Sequence, residues 1–126
     1  MPAYDAEFFA PPAPLARVTL RHPATGALLP DVPMLLDSGA DVTLIPQASV
    51  DTLGATVNPG SGYELIGFDG ARSVAQAVQL DLLFLGRAFK GRFLLIGHDS
   101  GILGRDILNH VTILLDGPRL TWNEHH

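Results

Sequence analysis

The sequence predicts an all-β domain, built as a small barrel or sandwich. Three observations carry that expectation. The apolar runs are short and rich in Val, Leu, Ile and Phe. Gly and Pro turn residues separate them at close intervals. Only two short segments read as helix. At 126 residues, with 47% hydrophobic and 17% charged residues, the chain fits one folded domain with a real core and does not fit a disordered one.

In chain order, residues 1–14 form a Pro-rich arm (Pro2, Pro11, Pro12, Pro14) expected to carry no regular structure, and residues 15–126 form the domain. "LARVTLRH" (15–22) alternates as a strand, and Pro23-Ala24-Thr25-Gly26 is turn chemistry. "ALLPDVPMLLD" (27–37) returns as a second strand. Pro30 and Pro33 place an edge or a bulge near its start, because proline cannot donate to a ladder. "QASVDTLGA" (47–55) is a short helix candidate. "YELIGFDGARSV" (63–74) reads as a hairpin around Asp69-Gly70, a dipeptide suited to a tight turn. "AQAVQLDLLFLG" and "RAFKGRFLLIG" are two more strands joined through Gly86. "GRDILNH" (104–110) is a helix started by Gly104 and stopped near Asn109. "VTILLD" and "RLTWN", joined by Gly117-Pro118, close the chain as a hairpin, with Trp122 expected in the core or in dimer packing.

Composition removes several function classes. The formal charge is −5 and the eight Lys and Arg are scattered, so no basic patch suits nucleic acid. The absence of Cys removes disulfides, thiolate nucleophiles and Cys-based metal sites. The His residues have neither H-x-x-x-H nor H-E-x-x-H spacing, and no G-x-S-x-G elbow or P-loop is present. No metal and no cofactor is therefore expected. The first 16 residues lack the basic and apolar regions of a signal peptide, and no apolar run approaches the ~20 residues of a membrane span. A soluble chain is expected, with a cytoplasmic location as the default. His125-His126, whether native or the remnant of an expression tag, are left out of functional reasoning.

The informative stretch is "MLLDSGADVTLIP" (34–46). An apolar strand ends on a bare carboxylate, Asp37. Ser38, Gly39 and Ala40 follow, then a second carboxylate, Asp41, then apolar residues again. Burying an ionised Asp is costly unless it is paired or shares a proton. A second Asp-Ser-Gly occurs at 99–101, about 60 residues on, too close for each triplet to sit in its own lobe of ~100 residues. Its loop-like context, Gly97-His98, reads as a surface turn. More informative is "GILGRDIL" (101–108), where Gly104, lacking Cβ, lets another backbone pass closely.

Together, "LLDSGADVTLIP" (35–46), "ELIGFDGARSV" (64–74) and "GILGRDIL" (101–108) resemble, in order and spacing, the retropepsin family: the retroviral-type aspartic proteases and their cellular relatives. The resemblance covers roughly residues 15 to 124. Ser in place of Thr after the Asp is a variant the family accepts. The Pro-rich arm and the "LPDVPM" lead-in depart from the viral pattern and bear on the dimer interface.

The resemblance implies a retropepsin-like acid protease fold: a single lobe with a flap hairpin and one short helix, working as a C2 homodimer on a peptide or protein substrate. Asp37, Ser38 and Gly39 would be the catalytic triplet. Asp37 of each subunit would meet on the axis, and the pair would activate water for attack on the amide. Ser38 would hydrogen-bond across the axis. Gly39 would give the tight turn, and Ala40 would keep the cleft floor narrow. Ala40 and Asp41, with the flap tip, would bind the substrate; Asp41 would also pair with Arg105, which with Gly104 would give structural support by holding the helix to the active-site loop. Gly67, Phe68, Asp69 and Gly70 would be the tip of the flap, whose glycines allow movement for substrate entry. The dimer would be built mainly from the Asp37 loop and the C-terminal hairpin, so that truncation from Arg119 onward would abolish activity by losing the dimer. The alternative is the same fold used as a binding module with little or no turnover.

Overall fold

The structure, a computed structural model, describes residues 2–66 and 72–126, with backbone alone for 58–66 and 72–75. The described elements, in order, are β1 (Tyr4–Asp5), β2 (Ala13–Arg21), β3 (Leu28–Leu36), β4 (Leu44–Pro46), α1 (Gln47–Leu53), β5 (Val57–Ile66), β6 (Arg72–Phe84), β7 (Arg87–Ile96), β8 (Gly101–Leu103), α2 (Arg105–Leu108), β9 (Ile113–Asp116) and β10 (Thr121–Glu124). Neighbouring strands run β1-β2-β3-β8-β4-β7-β6-β5. β2 also pairs with β6 through Thr19–Arg21 against Leu83–Asp81. That extra pairing closes β2, β3, β8, β4, β7 and β6 into a six-stranded barrel, so the all-β expectation holds. β1 and β5 extend it on the outside, and β9 and β10 form a separate two-stranded sheet.

Period-two patterning explains the core. Val18 and Leu20 of β2, Val32 and Met34 of β3, and Val78, Leu80, Leu82 and Phe84 of β6 point inward and are buried with Ile45, Leu103 and Ile107. Outward-facing Asp81 is also buried, but it is cross-strand to Arg21, whose Nε donates to its Oδ2 at 2.8 Å. A buried carboxylate is tolerated on those terms. Trp122 belongs to the core: its Nε1 donates to Leu15 O at 2.9 Å and its ring centroid lies 6.0 Å from that of Phe84.

The proline-marked irregularity lies in β3. Val18 pairs with Val32 but Leu20 with Leu29, so one extra residue bulges from β3, with Asp31 at φ 59°. The β6–β7 turn uses two left-handed residues, Leu85 (φ 52°) and Gly86 (φ 73°), as a tight primed turn requires.

Three expectations need correction. The N-terminal arm is not without structure. Tyr4 and Asp5 pair with Pro14 and Ala13, so β2 begins before residue 15; Pro14 sits near the start of β2, where a missing donor is tolerated. The two helical segments read from the sequence are both helices, one more than the resemblance implies, the first ended by Gly54 at φ 77°. The second Asp-Ser-Gly is not wholly a surface turn. Asp99 and Ser100 lie in a bend, but Gly101 is buried, and a Cβ there would strike Met34 Sδ and the Leu44 carbonyl.

Candidate active site

β8 lies between β3 and β4, parallel to the first and antiparallel to the second. The chain therefore leaves β3, arches over the end of β8 through residues 37–43, and returns as β4. β8 leaves the barrel at the same end, through Gly104 into α2. The two segments singled out in the sequence thus meet at one end of the barrel because of strand order.

Their packing is close. A Cβ on Gly104 would lie 2.6 Å from Val42 C and O and 2.9 Å from Val42 N, so the glycine is required by backbone passing backbone. The arch is tied down along its length. Asp37 N–H donates to Leu103 O (3.1 Å) and Arg105 N–H to Ala40 O (2.9 Å). Arg105 Nη1 donates to Ser38 O at 2.7 Å, and its Nη2 pairs with Asp41 Oδ1. Thr43, which is buried, is held from both sides. Its N–H and Oγ1–H donate to the two carboxylate oxygens of Asp106 (3.1 and 2.7 Å), while its Oγ1 accepts from Gly104 N–H at 3.1 Å. The Thr43–Asp106 clamp was not anticipated. Its only sequence signal is a hydroxyl residue inside the apolar run Val42-Thr43-Leu44-Ile45, with an Asp following Gly104-Arg105.

The fastened arch presents Asp37, half-buried, just past the end of β3. Its Oδ1 accepts Gly39 N–H at 2.9 Å, and Ala40 N–H donates to its carbonyl at 3.2 Å. A Cβ on Gly39 would sit 3.1 Å from that same Oδ1, so the glycine leaves the carboxylate its position. No cation pairs with Asp37 among the described residues. The arch therefore brings together Asp37, Ser38, Gly39, Ala40, Asp41, Gly104 and Arg105. Gly67, Phe68, Asp69 and Gly70, expected at the flap tip, lie outside the described residues; β5 and β6 flank them as an antiparallel pair whose last partners are Ile66 and Arg72.

Two surfaces adjoin the arch. Ser38 lines an apolar cleft with Leu36, Leu108, Val111, Ile113 and Leu115. Leu114 and Leu115 on β9 are exposed, and β9 has a strand partner on one side only among the described residues. β10 is covered on its other side by the chain's own arm, through Tyr4 N–H to Leu120 O and Trp122 N–H to Pro2 O. A cleft of about 480 Å³ between the arm and β6 contains no residue of the arch.

The Asp41–Arg105 pair is more exposed than a partly buried clamp would be, with side chains 84% and 42% accessible, and the stability expectation follows. Arg105→Ala is expected to cost only about 1 kcal/mol, chiefly through the bond to Ser38 O, because exposed pairs contribute under about 1 kcal/mol. Thr43→Val leaves the buried Gly104 N–H without an acceptor and is expected to cost about 2 kcal/mol. Urea midpoints at unchanged m-value order the two, and a larger loss for Arg105→Ala would reverse this account of the arch.

No family model matches the chain, and no curated protein matches it. Among solved structures it is similar to EIAV protease complexed with the inhibitor HBY-793, at 26% sequence identity and a TM-score of 0.59, covering 85% of this chain and 91% of that one. The fold is retropepsin-like.

Proposed function

We propose that the protein is an aspartic endopeptidase whose site is completed by a second copy of the chain. The observation that carries this reading is the Asp37-Ser38-Gly39 turn: fastened on its inner side, with a carboxylate for which no salt-bridge partner is found among the described residues. The likeness to a viral protease with bound inhibitor supports the same chemistry. One carboxylate is not enough for it. Two Asp37 side chains meeting across a two-fold axis share a single proton, since like charges in contact do not both ionise.

In the monoprotonated pair, the ionised carboxylate takes a proton from a water molecule. The water oxygen attacks the amide carbon, and the protonated carboxyl gives its proton to the carbonyl oxygen. The tetrahedral diol then collapses: the nitrogen takes a proton from the pair, the C–N bond breaks, one diol hydroxyl returns its proton to the pair, and acid and amine leave. The dyad ends as it began, with no covalent intermediate. Ser38, at the apolar cleft, would hydrogen-bond to the partner's arch. The peptide would lie extended, gaining affinity from backbone hydrogen bonds and selectivity from alternate side-chain pockets.

The test is digestion of a peptide library across a pH series, with and without a pepstatin-like inhibitor whose hydroxyl stands in for the attacking water. An acidic optimum is expected, because turnover needs the shared-proton form. A rate that climbs steadily above neutrality contradicts the dyad. Inhibitor binding without any cleavage favours the binding-module alternative.

A further inference from the structure

One edge of β2 has a gap. Toward β3 the strand is paired through Leu15–Val18 and again at Leu20 and Arg21. On its other side, β1 pairs with Ala13 and Pro14, and β6 pairs with Thr19–Arg21. Leu15–Val18, between them, therefore have a strand partner on the β3 side only among the described residues. The arm does not run on along this edge, because Ala3 turns away to pair with Thr121. One carbonyl of the gap, Leu15 O, is taken by Trp122 Nε1.

The cleft of about 480 Å³ lies at this gap, with Leu15, Ala16 and Arg17 in its lining; ligand pockets begin at roughly 300 Å³. Leu15, Leu83, Phe84 and Trp122 give it an apolar wall, and Tyr4 and Asp5 of the arm face them across it. Arg17 is exposed and makes no hydrogen bond or ion pair among the described residues. Three recognition elements thus converge. An open strand edge pairs with a peptide main chain. A free guanidinium takes a carboxylate through both oxygens. The apolar wall takes a side chain. Asp5 sits opposite Ala13, four residues before Arg17 on β2 and so about 13 Å along the strand. It repels a carboxylate at its own end, which places the anionic end of an occupant at Arg17 and sets its direction. In a chain of net charge −5, a bound carboxylate needs such a dedicated cation.

We propose that this cleft is a second binding site, separate from the Asp37 arch, and that it captures the free C-terminus of a peptide ending in an apolar residue. The terminal carboxylate lies on Arg17, the last side chain packs against Leu83, Phe84 and Trp122, and the main chain pairs with the open edge of β2. The site does not depend on the protease reading, because none of its residues belongs to the arch.

Trp122, the one tryptophan of the chain, lines the cleft and supplies the signal. The experiment titrates the full chain with acetyl-Ala-Leu-Phe, as the free acid and as the C-terminal amide, following tryptophan emission and heat. Saturable binding of the acid is expected, with the amide weaker by roughly 10- to 100-fold, the scale of a lost charged hydrogen bond. In Arg17→Gln the acid should fall to the affinity of the amide, so that the two peptides no longer differ. Thermal unfolding of Arg17→Gln without peptide should match the wild type, because the side chain is exposed and unbonded. No saturable binding of the acid, equal affinity for the amide, or an unchanged preference in Arg17→Gln overturns the proposal. Octanoate binding as tightly as the peptide overturns the peptide as occupant in favour of a small aliphatic acid. Asp37→Asn should bind the acid as the wild type does. A loss of binding there would place the peptide at the arch and overturn the second site, while leaving the protease reading untouched.

Discussion

Asp37→Asn is expected to reduce peptide cleavage by about a thousandfold or more, the scale of a lost general acid–base pair, while leaving the fold in place. The local geometry makes this variant unusually clean. Asp37 uses Oδ1 to accept Gly39 N–H, and an asparagine carbonyl oxygen accepts the same bond. Asp37 N–H to Leu103 O and Ala40 N–H to Asp37 O are backbone bonds that the substitution does not touch. What is lost is the ability to take up and release a proton. In the proposed two-chain site both copies change at once, so no half-active species remains. Turnover and sedimentation measured side by side decide the outcome. A folded, dimeric Asp37→Asn that still cleaves would move the catalytic role to another residue. Asp37→Ala would be a poorer test, because it also removes the acceptor that shapes the turn.

How much of this was legible in the sequence can be followed residue by residue. The strand assignments rested on period-two patterning and turn residues, and these are local signals. The β3 bulge was visible because Pro30 and Pro33 cannot donate. Gly104 was visible as a close approach, but its partner, the Val42 backbone, depends on β8 lying between β3 and β4, which is strand order rather than sequence pattern. Gly101 was misread for the same reason. Next to Asp99 and Ser100 it resembles a turn, and only the approach of Met34 and Leu44 explains why it carries no side chain. The Thr43–Asp106 clamp joins residues more than 60 apart, and neither stands out alone. The arm was dismissed because prolines seldom sit in central strands, yet Tyr4–Asp5 needed only an outside edge to pair with. Contacts within one element were legible, and contacts created by the order of strands were not.

Specific activity is expected to fall on dilution, and Leu115→Glu is expected to abolish activity by holding the protein monomeric. The premise is that one chain supplies one Asp37 and therefore half of a dyad. The surface beside the arch suits a second copy. Ser38 shares an apolar cleft with Leu36, Ile113 and Leu115, and Leu115 is 55% exposed on a strand with a partner on one side only among the described residues. Exposed apolar area of this kind, continuous with a reactive site, is what an association surface requires. Truncation from Arg119 cannot test the point, because it removes Trp122, which is 2% exposed and bonded to Leu15 O, and so removes part of the core. Leu115→Glu leaves that core untouched. It places a charge, and its twofold image, in the contact, where burying unpaired carboxylates is strongly unfavourable. Far below the dissociation constant, the dimer concentration follows the square of the chain concentration, so each halving of protein should halve specific activity. Ultracentrifugation over the same dilution series gives the oligomeric state directly. Constant specific activity in a sample shown to be monomeric would overturn the two-chain site, and with it the shared-proton mechanism.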